Sequence, residues 1–360
     1  MWALTLSLVV LATLHVSSVS PVSPRSMTVR LFTVAGIVNS VNDLEIAAEV
    51  TNTGSEDLKL LKDGTILDGS GYTRAFFVIQ DGQDVPFAGL NAQISLSGAN
   101  ADAFMVIPRG QSVIVNHKTI GSSFDFHSMG DGNFSFAPAI DFQIITRSHS
   151  ETTMERLTLR DSEFNTVHIV VRHTSTSHGG HSIAKRAGIT HPDPSKQTFI
   201  ETSYKEAKIL AYLAIAFSND ALAGPSFYTY FKDNNRTVLK ETYLGIRDET
   251  GGVPEISYAD PHHKCFPGVI SYTDYSTKNI HVCPPFFQEP ATHELCNGTS
   301  LDVTLTRSGR LFRELIHVAR PTLDVVSGCL LSRQLPAEAS LLNADNYACY
   351  ALQAYAYFVC

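Results

Sequence analysis

Leu311-Phe-Arg-Glu-Leu-Ile-His-Val-Ala319 is the stretch on which the reading of this chain turns. It lies within 309–320, a segment that reads as a helix. Residues four apart on a helix share a face, so two histidines at that spacing can grip one zinc ion from two sides. A glutamate directly after the first histidine then faces the metal-bound water and can take its proton. Glu314 and His317 stand where that base and the second ligand belong, and Arg313 stands where the first ligand belongs. A guanidinium is charged at every accessible pH and has no lone pair to give a metal. Glu-x-x-His alone is a weak signal, because a core histidine beside a surface glutamate produces the same pattern.

Two downstream features sharpen it. After His317 come Pro321-Thr-Leu-Asp324, then Ser327-Gly328, then Asn343-Ala-Asp-Asn-Tyr-Ala348. In this order they resemble the deuterolysin (aspzincin) family, the fungal neutral protease 2-like zinc metalloendopeptidases. The resemblance implies one Zn2+ as cofactor, Glu314 as general base, His317 and Asp324 as metal ligands, and Asp345 as a residue supporting the site. It also implies protein or peptide substrates and the chain's own propeptide as partners. It extends to Val50–Leu61, to the Phe227–Lys232 helix and to the Cys265…Cys283 hairpin around Ile270-Ser-Tyr-Thr.

The departures gather at the centre. Besides Arg313, Pro321 replaces the family's glycine, Ser327 replaces its tyrosine, and the loop from His317 to Asp324 is short. The stretch after the hairpin cysteine, Cys283-Pro-Pro-Phe-Phe287, lacks the family's oxyanion tyrosine. The family reading is therefore a zinc endopeptidase made as a zymogen. Its alternative is a catalytically silent pseudoprotease that kept the fold, lost the first ligand and acts as a binding protein. In that alternative Arg313 sets its charge where the ion would sit, pairing with Asp324 and Asp345. His293, His262 and His263 are the other donors within reach in sequence, and each also reads as a solvated loop histidine.

Upstream, the chain changes character. From Ser26 to Arg172 it runs in short segments rich in β-branched and aromatic residues: Thr28–Val34, Glu45–Asn52, Ala75–Gln80, Ile94–Leu96, Ser112–Val115, Ile140–Thr146 and Val167–Arg172. Turn signals such as Asp63-Gly64, Asp81-Gly82 and Asp131-Gly132 separate them, which predicts a cysteine-free β-sandwich. His173–Ile183 is small and polar and reads as a solvated linker; His173, His178 and His181 leave metal binding as a second reading. The linker ends in the dibasic pair Lys185-Arg186. Beyond it the period becomes helical, with Ile209, Leu210, Leu213, Ala214 and Phe217 marking a helix over 199–222. Helices follow at Pro225 and over 235–247, strands around Tyr272–Tyr275 and Ile280–Val282, and closing helices over 309–320 and 336–358. The fold class expected is multidomain: an all-β, sandwich-like prodomain, then a mainly α (α+β) zincin-like metalloprotease domain. The boundaries expected are 1–20 signal peptide, 21–172 propeptide domain, 173–186 linker and 187–360 protease domain.

Bulk composition agrees. Over 360 residues, 44% are hydrophobic and 17% charged, enough to bury sizeable cores. The net charge of −8 argues against a nucleic-acid partner, and no later apolar run spans a bilayer. The apolar stretch Ala3–His15, followed by small residues, reads as a cleaved leader, which predicts a secreted, extracellular monomer. Cys265, Cys283, Cys296, Cys329, Cys349 and Cys360 all fall near the C-terminus without a Cys-x-x-Cys pair. In an exported chain that pattern favours disulfides over a zinc ribbon. The family resemblance implies Cys265–Cys283 and Cys296–Cys360, leaving Cys329 with Cys349. Sequons at Asn133, Asn235 and Asn297 point to a glycoprotein.

Overall fold

Alternation of inward and outward residues builds the N-terminal half. Met27–Thr33 and Ile46–Asn52 bury every second side chain, the period expected of a half-buried strand. A computed structural model describes residues 25–69, 73–94, 101–118, 120–148, 151–172, 188–220, 223–248, 254–302 and 305–360. The apolar leader 1–20, Leu96, and the linker 173–186 with Lys185-Arg186 lie outside the described residues.

In the N-terminal half, Met27–Thr33, Ile46–Asn52 and Ser112–His117 form one antiparallel sheet. A second is built on Gly132–Pro138 between Val167–Val171 and Phe76–Gln80. A third runs Glu151–Thr158, Asp141–Ser148, Leu58–Leu61, Phe104–Ile107. Val29, Val50, Phe134, Phe136, Phe142 and Ile169 close the core between them with no exposed surface.

The C-terminal region is α+β. Its long helix Pro194–Asn219 begins with Asp193, whose side chain accepts from the Ser195 amide at 2.9 Å, and with proline in the first turn, where no amide hydrogen is needed. It packs on the helices Arg236–Asp248, Arg307–Ala319 and Ala344–Val359 around a core holding Phe217, Tyr243, Phe312, Tyr347 and Tyr350. The expected closing helix over 336–358 is interrupted. Ala337–Leu342 and Ala344–Val359 are separate because Asn343 is extended, at φ −89° and ψ 117°, and forms a bridge with Leu323 of the neighbouring loop. Two disulfides join the pairs that the resemblance implies, Cys265–Cys283 and Cys296–Cys360, and a third joins the two cysteines left over, Cys329–Cys349.

One strand does not respect the division into halves. The expected strand over 94–96 starts earlier, at Leu90–Ile94, and leaves the N-terminal sheets altogether. It pairs antiparallel with Val269–Asp274 and becomes the outer strand of the C-terminal sheet. The cause is apolar. Leu90, Ala92 and Ile94 alternate onto a seam with Leu61, Val269, Tyr272 and Cys283.

Candidate catalytic centre

The helix Arg307–Ala319 is capped by Thr306, whose hydroxyl accepts from the Gly309 amide at 3.3 Å. At Gly309 an added Cβ would lie 2.6 Å from Leu352 Cδ1, so the missing side chain lets this helix lie close against the terminal helix Ala344–Val359. One turn further on, Arg313, Glu314 and His317 are all buried. Three polar side chains on a buried face need partners, and the surrounding elements supply them.

Glu314 is held from the sheet. Ser271 Oγ donates to Oε1 at 2.9 Å and Thr273 Oγ1 donates to Oε2 at 2.5 Å. His317 is held on both ring nitrogens. Tyr275 Oη lies 2.8 Å and Thr322 Oγ1 2.7 Å from Nδ1. Tyr275 donates its own proton to the Thr322 carbonyl at 2.7 Å. On the other side of the ring, Nε2 lies 2.9 Å from the Asn91 side-chain amide and 3.3 Å from Asp324 Oδ1. Burial, and then the nearby Asp324 carboxylate, push the Tyr275 hydroxyl well above its usual range and keep it protonated.

Asp324 is carried by the loop 321–328, which docks on the terminal-helix junction. Leu323 donates to the Leu342 carbonyl and accepts from the Ala344 amide, and the Asn343 side chain accepts from Val326. Asp345 Oδ2 accepts from the Gly328 amide at 2.6 Å. Gly328 sits at φ +85°, a left-handed conformation that costs a side-chain-bearing residue about 1–2 kcal/mol.

Arg313 fills the middle. Its Nε lies 3.1 Å from Asp345 Oδ1, its Nη1 3.2 Å from Glu314 Oε1, and its Nη2 is paired with Asp324. The side chain is 1% exposed. Burial works against its charge, but Asp324, Asp345 and Glu314 outweigh it and raise its pKa above the ordinary guanidinium value. For Asp324 burial likewise opposes charge, and Arg313 and then His317 outweigh it, holding the carboxyl below the usual range.

Glu314, His317, Asp324 and Asp345 are thus brought together with Arg313 at their centre. The other histidines do not join them. His293 is 67% exposed and pairs with Glu294, while His262 pairs with Asp274 on the hairpin rim. His263 is in the same rim, at a left-handed φ of +52°. Phe286 and Phe287 pack against Phe199. The sequence reading missed Tyr275, Thr322 and Asn91. Tyr275 had a signal: residues 271, 273 and 275 lie on one face of a strand that continues into its turn. Asn91 had none, being 226 residues from His317.

A zinc ion does not fit this donor set. A catalytic zinc takes three protein ligands and an open position. Here only His317 and Asp324 remain as donors, Asn91 engages Nε2, and a guanidinium stands in the third place. Among the described residues no group of three His, Cys, Asp or Glu side chains is arranged to hold a metal. Between the two halves, beside the cluster, lies a cavity lined by Arg74, Phe77, Phe87, Asn91, Tyr275 and Asp324.

Comparison with known proteins gives consistent matches. The aspzincin family model, described as lysine-specific metallo-endopeptidase, matches residues 216–352. A neutral protease 2 homolog of Pyricularia oryzae is 28% identical over 325 residues, covering 87% of this chain and 89% of that protein. A probable neutral protease 2 homolog of Arthroderma benhamiae is 29% identical over 330 residues, covering 85% and 88%. Among solved structures, a zinc peptidase from Grifola frondosa is matched at 15% identity and a TM-score of 0.33, over 45% of this chain and 96% of that one.

Proposed function

This chain belongs to the deuterolysin (aspzincin) family of zinc metallopeptidases, and from that premise we propose that it acts on polypeptide chains laid along the sheet edge beside Glu314 and His317. One observation carries the reading. Leu90–Ile94 is an extended segment seated antiparallel on Val269–Asp274, with Asn91 opposite Thr273 and in contact with His317. Main-chain pairing of this kind accepts many sequences, while alternate side chains drop into pockets and set preference. The edge that takes Leu90–Ile94 suits other extended segments for the same reason.

Hydrolysis of the bound chain is the activity that the relatives' names support. In that reading Glu314 is the base, His317 and Asp324 the donors to one Zn2+, and Asp345 their support. The donor set leaves the ion one ligand short.

The precursor reading assigns 1–20 to a removed leader, 21–172 to a propeptide domain and 187–360 to the mature part, freed by cleavage after Lys185-Arg186. Leu90–Ile94 is then the first occupant of the edge, and processing precedes access by any other. An extracellular destination is supported by three disulfides and by the exposure of Asn133, Asn235 and Asn297. Among the described residues no helix is long and apolar enough to cross a membrane.

The test is to nick purified precursor with a dibasic-specific protease and add fluorescent, unfolded casein. In nicked protein Leu90–Ile94 is held by contacts alone, so casein in excess should displace it and be retained, whereas the intact precursor ignores casein; mass spectrometry of the casein separates cutting from holding. A nicked chain that neither holds nor cuts casein overturns the reading.

A further inference from the structure

The two halves of the centre disagree about a metal, and the disagreement has a structural answer. Three carboxylates converge from three separate segments: Glu314 from the helix Arg307–Ala319, Asp324 from the loop 321–328, and Asp345 from the terminal helix. Unbalanced carboxylates in a buried site repel one another and lose hydration, so the three segments stay together only around a positive charge. The guanidinium of Arg313 touches all three.

We infer that Arg313 is a built-in cation that replaces a metal ion as the staple of this centre, so that the domain folds, closes and engages peptide without zinc. The inference rests on the polypeptide-directed reading above and settles what that site does with its ligand: it holds the chain and lacks the metal that would cut it. Arginine suits the task because its planar fork presents donors in several directions at once, which an ammonium cannot. Nε reaches Asp345, Nη1 reaches Glu314 and Nη2 reaches Asp324, so each segment is tied to the others through one side chain. Neighbouring groups add hydrogen bonds around this staple. Glu314 has Ser271 and Thr273, His317 has Tyr275, Thr322 and Asn91, and Asp345 has the Gly328 amide.

The experiment uses the full chain, before and after nicking. Each form is soaked in excess zinc chloride, desalted and assayed for zinc by elemental analysis, with melting curves recorded with and without EDTA. Zinc at trace level and melting curves unmoved by EDTA are expected; near-stoichiometric zinc whose removal lowers the melting temperature overturns the inference. Two variants probe the staple itself. Arg313→Met keeps the length and drops the charge, and should melt well below Arg313→Lys, which keeps the charge; equal melting of the two overturns the inference. Arg313→His, if its circular dichroism is native, should gain zinc that wild type lacks, and a folded variant that stays metal-free counts against the inference. Casein retention in the same preparations reports the polypeptide-directed reading separately. Lost retention in zinc-free, stably folded protein is a failure of that reading and not of the staple.

Discussion

Tyr275 is the residue on which the precision of the centre depends. Its hydroxyl sits between His317 Nδ1 and the Thr322 carbonyl, and fixes both the ring and the start of the loop that carries Asp324. Removing it leaves a buried ring nitrogen and a buried carbonyl a partner short. Tyr275→Phe should lower unfolding stability by about 1–3 kcal/mol, the range for a buried polar group left unsatisfied, read as a reduced urea midpoint at unchanged slope. An unmoved midpoint would show that Thr322 alone suffices. Other residues of the centre were legible to different degrees. Glu314, His317, Asp324 and Asp345 could be placed because their order along the chain matches a family pattern. The partners of Arg313 could be anticipated from charge alone. Ser271 and Thr273 as holders of Glu314 could not, since serine and threonine in a strand usually pair across it or face solvent, and only the packing of helix on sheet aims them at one carboxylate.

At the scale of elements, two devices bind the helices that carry the centre. The first is polar. Glu206 of the long helix takes Arg307 in a two-point contact at 3.0 and 2.5 Å and accepts from Thr292 at 2.6 Å. Burial alone would raise the Glu206 pKa, but Arg307 and Thr292 outweigh it and hold the carboxyl below its usual value. A carboxyl depressed by folding contributes stability that is fully present above the unfolded value of about 4.3 and is lost as pH falls through the folded value. Wild type should therefore lose melting temperature more steeply on acidification below that range than Glu206→Gln does; parallel curves would mean the contact contributes nothing. The second device is covalent. Cys329–Cys349 ties the loop 321–328 and its short following helix to the terminal helix across a 20-residue separation. Cross-linking a loop of that length restricts the unfolded chain by about 3 kcal/mol, so Cys329→Ser with Cys349→Ser should lose about that much in a denaturant titration. Most helices were legible from apolar period and the strands from alternation. The break at Asn343 was not, because the sequence on either side is helical and the interruption comes from Leu323, in a loop earlier in the chain, pairing with it.

The whole molecule is less divided than its sequence. Composition separates a cysteine-free β-rich half from a disulfide-bearing helical half, and the structure keeps separate main cores for each. What composition does not register is that one strand of the first half completes the sheet of the second. Pairing between residues nearly two hundred positions apart leaves no local trace beyond a short alternating run, and such a run fits either sheet equally well. The consequence can be measured. Leu90, Ala92 and Ile94 bury themselves against Val269, Tyr272 and Cys283, and Phe87 stacks edge-on to Tyr275 at 5.4 Å between ring centres. Met154 packs onto a further apolar cluster of Val325, Val326 and Leu331. These contacts are independent of the peptide bonds in 173–186, so cutting there should not separate the halves. Protein nicked at Lys185-Arg186 is expected to elute from a sizing column as one species and to split into two bands only under denaturing conditions. Ala92→Arg places a charge in the seam, where Ala92 is 5% exposed; an unpaired buried charge costs several kcal/mol, and the nicked variant should elute as two species. Immediate separation of nicked wild type would mean that the linker holds the halves together, and that Leu90–Ile94 occupies its edge only by tethering.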